Sequence, residues 1–141
     1  MFSTSLLLLL AAASYVHGEE LTQFASMTVQ PGQSLSINCK VSYSVTSYTT
    51  AWIRQPAGKA LEWIGHIYSD GSIGYSDKLK NKFSISRDTV TNTITIGGQN
   101  LQTEDTAVYY CARYKDLAGF DYWGKGTQVT VTSAVQSAPK S

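Results

Sequence analysis

The chain has 141 residues, 43% of them hydrophobic and 15% charged, with a formal net charge of +1 and two cysteines. Its 11 Lys and Arg are scattered among 10 Asp and Glu, which leaves no electrostatic footprint for nucleic acid or an anionic membrane. Two cysteines with no histidine nearby cannot build a four-ligand zinc site, and without a C-x-x-C pair they are not set up for thiol redox work.

The chain begins "MFSTSLLLLLAAASYVHGEE", with an uninterrupted apolar block from Leu6 to Ala13. That block is too short to span a bilayer, which takes about 20 apolar residues. Val16 and Gly18 supply the small-residue spacing of a signal-peptidase site, although no Lys or Arg precedes the block. The reading is a secretory leader over residues 1–18, cleaved after Gly18; the competing reading is a buried helix of the mature fold. Secretion then gives the cysteines a meaning, because an oxidising compartment lets a pair persist as a disulfide. Cys39 and Cys111, 72 residues apart, are expected to be bonded to each other. Closing such a loop stabilises the fold by about 4 kcal/mol in the chain-entropy model.

Along the remaining chain the dominant period is two. In "SLSINCKV" the residues Leu35, Ile37, Cys39 and Val41 share one face, and Ser34, Ser36, Asn38 and Lys40 the other. "TAWIRQ" follows, with Trp52 placed 13 residues after Cys39 as the large apolar group available to cover a bridge. Short alternating runs recur at "FSIS" (Phe83, Ile85), "TITI" (Ile94, Ile96) and "TQVTVT" (Val129, Val131). In "TEDTAVYYCAR" alternation puts Ala107, Tyr109 and Cys111 on one face, Val108 and Tyr110 on the other. Turn signals separate the runs at "QPGQ", "PAGK", "SDGS", "SRDTVTN" and "GGQN", and no segment of useful length has a helical period. One all-β domain, an antiparallel sandwich, follows from this spacing. Both cysteines lie on inward faces, and Tyr109, two residues before Cys111, has the position of a tyrosine-corner hydroxyl.

"SLSINCKVS", "AWIRQPAGKALEWIG", "KFSISRD", "LQTEDTAVYYCAR" and "WGKGTQVTVTS", in this order, resemble an immunoglobulin heavy-chain variable domain from about Glu20 to Ser133. Trp123 in "WGKG" is similar to a heavy-chain joining segment, where light chains and most T-cell receptor chains have Phe. The resemblance implies a V-type Greek-key β-sandwich of about nine strands over residues 19–133, pinned between its sheets by Cys39 and Cys111. It implies antigen recognition in adaptive immunity, secreted or on the outer face of the plasma membrane as part of a B-cell receptor. Residues 134–141, "AVQSAPKS", read as the start of a constant region or elbow.

Three loops then match those that meet antigen: 43–49, 67–73 and 112–122. They are rich in Tyr, Ser, Thr and Gly, a composition that gives large rigid contact surfaces and adaptable polar contacts; the bland alternative is that they are solvated turns. The expected contact residues are Tyr43, Ser47, Tyr48 and Thr49 in the first loop, Tyr68, Ser69, Asp70 and Ser72 in the second, and Tyr114, Lys115, Asp116, Leu117 and Ala118 in the third. His66 either lines the floor of the site or is a packing residue. The short-to-moderate third loop argues for a flat or shallow surface.

The resemblance also assigns framework roles. Arg113 and Asp121 match a pair that closes the third loop, and Arg87 matches a residue that props the first two. Lys82 stands where the family generally has Arg, facing Asp105, so a pair there lacks the bidentate fork. Phe24 falls where a strand switch between sheets is expected. Ile53, Gln55, Leu61, Trp63, Tyr110 and Trp123 match positions that contact a light-chain variable domain, an apolar area large for a soluble monomer; the alternative is that they pack under the chain's own third loop.

No enzyme is expected: beyond the leader there is one histidine, no G-x-S-x-G and no P-loop. No catalytic residue, metal or cofactor is assigned, and no N-x-[ST] sequon occurs. The rival function is a variable-type receptor domain outside antibodies, T-cell receptor delta-like or innate. An adhesive domain of the same superfamily would need no joining segment.

Overall fold

The computed structural model describes residues 18–133, so the expected leader, apart from Gly18, and the expected elbow lie outside the described residues. Among the described residues eleven strands run in chain order: β1 (Leu21–Thr22), β2 (Ser26–Val29), β3 (Leu35–Val41), β4 (Thr49–Pro56), β5 (Glu62–Ile67), β6 (Ile73–Tyr75), β7 (Phe83–Asp88), β8 (Thr93–Gly98), β9 (Ala107–Tyr114), β10 (Phe120–Trp123) and β11 (Thr127–Val131). One sheet has the order β1-β3-β8-β7. The other runs β2-β11-β9-β4-β5-β6, with β10 paired to the far end of β9. The helical elements with both ends among the described residues are two single 3₁₀ turns, Thr103–Asp105 and Asp116–Ala118.

The excess over nine strands has two local causes. The N-terminal strand leaves one sheet after Thr22 and joins the other at Ser26, where it runs parallel to β11, and Phe24 projects into solvent at the switch. The C-terminal strand is broken between β10 and β11 by Gly124 and Gly126. Gly126 has φ +96, and a Cβ on Gly124 would collide with the amide oxygen of Gln23.

The alternation legible in the sequence is the burial pattern of the structure: β3 alternates buried and exposed along its whole length, and Ala107, Tyr109 and Cys111 of β9 are all buried. Cys39 and Cys111 form the disulfide across the sheets, Cα–Cα 6.5 Å. Trp52 lies directly opposite Cys111 in the β4–β9 register and is fully buried, with Ile37, Ile64, Ile94, Ile96, Leu101 and Val129 around the same centre. A disulfide-pinned frame of this kind can carry loops of varied sequence at little energetic cost, because the loop backbones face water.

At the end of the sandwich remote from those loops, a buried polar cluster holds the strands together. The Asp105 carboxylate, 2% exposed, accepts hydrogen bonds from Arg54 Nη1 (2.9 Å), Lys82 Nζ (2.7 Å) and the Gln102 N–H (2.8 Å). Burial pushes this carboxyl up, but Lys82, the Gln102 amide and Arg54 outweigh it and hold it below the ordinary carboxylate range. Arg54 also donates to Glu62 (2.7 Å) and to the Tyr109 hydroxyl (3.1 Å). The Tyr109 hydroxyl donates to the carbonyl of Asp105 at 2.7 Å, the hydrogen bond of a tyrosine corner. Gln23 performs a similar task near the disulfide. Its amide nitrogen donates to Tyr109 O and Thr127 Oγ1, both 2.9 Å, and its oxygen accepts from the N–H groups of Cys111 and Gly126.

Candidate functional site

Three connections converge at the end of the sandwich where β3, β5 and β9 terminate, and each is fastened to the frame. The first, residues 42–48, is plugged into the core by Val45, 1% exposed, whose N–H donates to Asn92 Oδ1. The second, residues 68–72, closes on itself: the Tyr68 N–H donates to Ser72 O and the Gly71 N–H, at φ +94, donates to Tyr68 O. Asp70 accepts from the Ser72 N–H (2.9 Å) and hydroxyl (2.7 Å), and these bonds hold its carboxyl below the usual range. Arg87 ties the two loops together, Nη1 donating to the carbonyls of Val45 (2.9 Å), Tyr68 (3.1 Å) and Ser69 (3.0 Å). Three carbonyls from two loops on one guanidinium fix their relative position.

The third connection is a hairpin whose arms are strand almost to its tip. Tyr114 still pairs with Phe120 and Thr49, so the loop proper is residues 115–119 and not 112–122. The tip is closed by Lys115 N–H to Gly119 O (2.5 Å) and turns through Asp116 at φ +48 and Gly119 at φ +82. At its base Arg113 makes a two-pronged ion pair with Asp121, Nε to Oδ1 3.1 Å and Nη2 to Oδ2 2.6 Å. The pair raises the Arg113 pKa and lowers that of Asp121. The Arg113 guanidinium also lies 4.0 Å over the Tyr48 ring and 4.8 Å over that of Tyr122, joining the first and third loops.

The structure sorts the expected contact residues. Ser47, Tyr48, Tyr68, Asp70, Ser72, Tyr114, Lys115, Asp116 and Leu117 are exposed around one rim, Leu117 completely so at the tip. Thr49, His66 and Ser69 are half-buried behind them. Ala118 belongs to the 3₁₀ turn at the tip. Tyr43 is a correction: it is 5% exposed, its hydroxyl is bonded to Thr50 Oγ1 at 2.6 Å, and burial pushes its pKa up to about 12. Alternation explains it, since Tyr43 continues the inward face of Cys39 and Val41 past the end of β3. It supports Tyr48 edge-on, ring centroids 5.5 Å apart, instead of meeting solvent.

The expected flat or shallow surface has a half-open concavity in it. Between the second and third loops lies a concavity of about 300 Å³ lined by Thr49, Ala51, Trp63, His66, Tyr68, Tyr114 and Phe120. Ala51 and Phe120 were not singled out from the sequence. The signal for Ala51 was there: on β4 the positions Thr49, Ala51 and Ile53 share a face, and the small middle residue leaves the space.

A second surface adjoins this one on the outer face of the larger sheet. Leu61 (53% exposed), Trp63 (39%) and Trp123 (41%) lie open, with Gln55 exposed and Tyr110 half-buried beside Trp123. Gln55 already donates to Lys59 O at 3.2 Å. Ile53 is the second correction: it faces this side of the sheet but is 4% exposed, clustered with Ala51 and Ala112 under Phe120. The third hairpin, through Phe120 of β10, therefore covers one end of the patch and leaves the rest uncovered.

The immunoglobulin V-set domain model matches residues 22–132. The chain is 49% identical to the Ig heavy chain V region MOPC 315 of Mus musculus over 133 residues, 92% of this chain and 97% of the relative. It is 44% identical to the Ig heavy chain V region XIG14 of Xenopus laevis, covering 85% of this chain and 90% of the relative. A second Xenopus laevis region, XIG8, is 39% identical over 94% of this chain and 99% of that one. These relatives do not favour a receptor outside antibodies. With its disulfide-pinned sandwich and three loops gathered at one end, the chain belongs to the immunoglobulin V-set family and, within it, to the heavy-chain variable regions, whose function is antigen recognition.

Proposed function

We propose that antigen is met by the rim formed by Tyr48, Tyr68, Asp70, Tyr114, Lys115, Asp116 and Leu117, with Ser47, Thr49, Ser69, Ser72, His66 and Ala118 contributing at its margins. The observation that carries this reading is the concentration of exposed tyrosines on loops that the frame holds rigid through Arg87 and the Arg113–Asp121 pair. Rigid aromatic groups with few rotors lose little entropy on binding.

The patch of Leu61, Trp63, Tyr110 and Trp123, with Gln55 at its edge, docks a light-chain variable domain. Its support is the exposed indoles and leucine, which are large apolar groups to leave in water. The domain is residues 19–133, delivered by a leader over 1–18 and continued by an elbow from 134. It works outside the cell, secreted or anchored as part of a B-cell receptor, and it binds without catalysing and without touching nucleic acid or membrane. Among the described residues no helix is long and apolar enough to cross a membrane and no group of His, Cys, Asp and Glu could hold a metal.

The test is co-expression of residues 19–133 with a panel of light-chain variable domains, followed by size-exclusion chromatography with light scattering. Stable one-to-one pairs are expected. A chain that stays monomeric at high concentration and refuses every light chain overturns the reading of this surface.

A further inference from the structure

The concavity between the second and third loops has a chemistry of its own. Its walls are rings, and each is braced by another: Trp63 against His66 at 5.1 Å, His66 edge-on to Tyr68 at 4.4 Å, Tyr114 edge-on to Phe120 at 5.7 Å. Phe120 is in turn held edge-on to Trp123 at 5.4 Å. Ala51 closes the floor and is fully buried. The lining holds no Lys, Arg, Asp or Glu, and burial pushes the imidazole of His66 below its ordinary pKa. Of the charges at this end, Arg113 is paired with Asp121 and Asp70 accepts from Ser72, while Lys115 and Asp116 stand at the hairpin tip outside the lining.

Size and wall rigidity narrow the ligand further. A volume of about 300 Å³ is roughly twice the ~150 Å³ apolar cavity in which benzene is bound. That suits one or two fused rings, and aromatic walls prefer an aromatic guest, which meets ring faces and edges in offset or edge-on geometry. The space also depends on a residue outside it. His66 lies across Gly74 of β6, and a Cβ at position 74 would sit 3.0 Å from His66 Nε2. A Cβ there obliges the imidazole to give by a few tenths of an ångström, and a larger, β-branched side chain crowds the ring that forms this wall further.

We infer that this concavity seats a planar, uncharged aromatic ring of the antigen against Trp63, Tyr114 and Phe120 above Ala51, with Gly74 as the positioning residue that keeps it open. The inference rests on the antigen-recognition reading of this end of the domain. The ring belongs either to a free small aryl compound or to an aromatic side chain of a larger antigen.

The probe is 2-naphthol, with N-acetyltryptophanamide standing for a side chain and cyclohexanol as the non-aromatic control. Each is titrated by calorimetry and ligand-observed NMR into the full chain alone and into its light-chain pair. Expected is saturable binding of 2-naphthol at least tenfold tighter than cyclohexanol in both forms. Binding of N-acetyltryptophanamide as well assigns the site to side chains; binding of 2-naphthol alone assigns it to small aryl compounds. Gly74→Val and, independently, Ala51→Leu are expected to weaken 2-naphthol at least tenfold at unchanged fold by circular dichroism, whereas Val90→Thr on a remote turn leaves it within twofold. Equal affinity for cyclohexanol, or full affinity in Ala51→Leu, overturns the inference. Binding to the chain alone that vanishes in the pair also overturns it, showing that a light-chain side chain is the occupant. Failure to pair with any light chain refutes the partner surface instead, and the titration on the chain alone still decides the concavity.

Discussion

Replacing Asp105 by Asn removes a charge while keeping shape, and it isolates what the buried cluster below the sandwich contributes. Asp105 is the shared acceptor of Arg54 and Lys82, with the side chains of Arg54 and Asp105 only 7% and 3% exposed. Breaking a buried pair by removing one partner costs about 3–5 kcal/mol, because the other charge is left in a low dielectric. Two features place this case near the lower end. Glu62 still faces Arg54 at 2.7 Å, and Lys82, 26% exposed, can turn to water. A loss of about 3 kcal/mol is therefore expected, a large share of the ~5–15 kcal/mol that stabilises an ordinary domain. At about 4 °C per kcal/mol for a domain of this size, the midpoint falls by about 10 °C or more.

Acid gives a second readout with a definite sign. The folded carboxyl titrates below its unfolded value, so its contribution is present in full above the unfolded pKa of about 3.9 and is lost as pH falls through the lower folded value. Wild type and Asp105→Asn should therefore differ most at neutral pH and converge below about pH 4, as read by urea midpoints from pH 2.5 to 7. Glu62 and Asp121 are also held low, so the comparison with the variant, and not the wild-type slope alone, is diagnostic. A stability loss under about 1 kcal/mol at pH 7, or parallel acid slopes in the two proteins, would refute the account of the cluster.

Further outcomes follow from other contacts. Lys82→Arg restores a two-pronged donor to Asp105 and is expected to raise stability by about 0.5–1 kcal/mol in urea melts. Tyr109→Phe removes the hydroxyl that bridges Arg54 and the Asp105 carbonyl and should cost about 1–3 kcal/mol by thermal unfolding, since it leaves buried groups unsatisfied. A double-mutant cycle on Arg113→Ala and Asp121→Ala should show coupling of about 1–2 kcal/mol in stability, and additivity of the two changes would mean the pair does nothing for the loop. Trp63→Ala should weaken light-chain association by about 30-fold or more, read by sedimentation equilibrium, in keeping with a buried aromatic anchor worth about 2 kcal/mol.

What the sequence made legible is the part of the molecule governed by period and by turn chemistry. Alternation alone places Cys39, Tyr109 and Cys111, because on a half-buried strand one residue's direction fixes its neighbours', while Trp52 follows from its spacing after Cys39 and its bulk. The same rule, carried past the end of β3, turns Tyr43 inward, which its place in a loop rich in Tyr and Ser conceals. Ile53 shows the opposite limit. Its direction was legible, but its burial depends on Phe120, 67 residues away, folding over it from a hairpin whose conformation no local pattern specifies. Gln23 and Arg54 are concealed for a further reason: a buried polar residue looks like a surface one until its partners are in place, and theirs come from β5, β9, the turn before β9 and the start of β11.

This difference in legibility is also a division of physical labour. The frame is determined by many short-range regularities that agree with one another, so substitutions at the loop tips leave it standing. The recognition end is determined by a handful of long-range fastenings, Arg87 to three carbonyls and Arg113 to Asp121 and two tyrosine rings. A loop residue such as Leu117, fully exposed and touching nothing that holds the fold, is free to be whatever an antigen requires. Tyr43, Arg87, Gly74 and Ala51 are not, because each sets the position or depth of the surface that the variable tips present. Specificity in this domain thus resides in two layers, one that meets the ligand and one beneath it that decides what shape of ligand can be met.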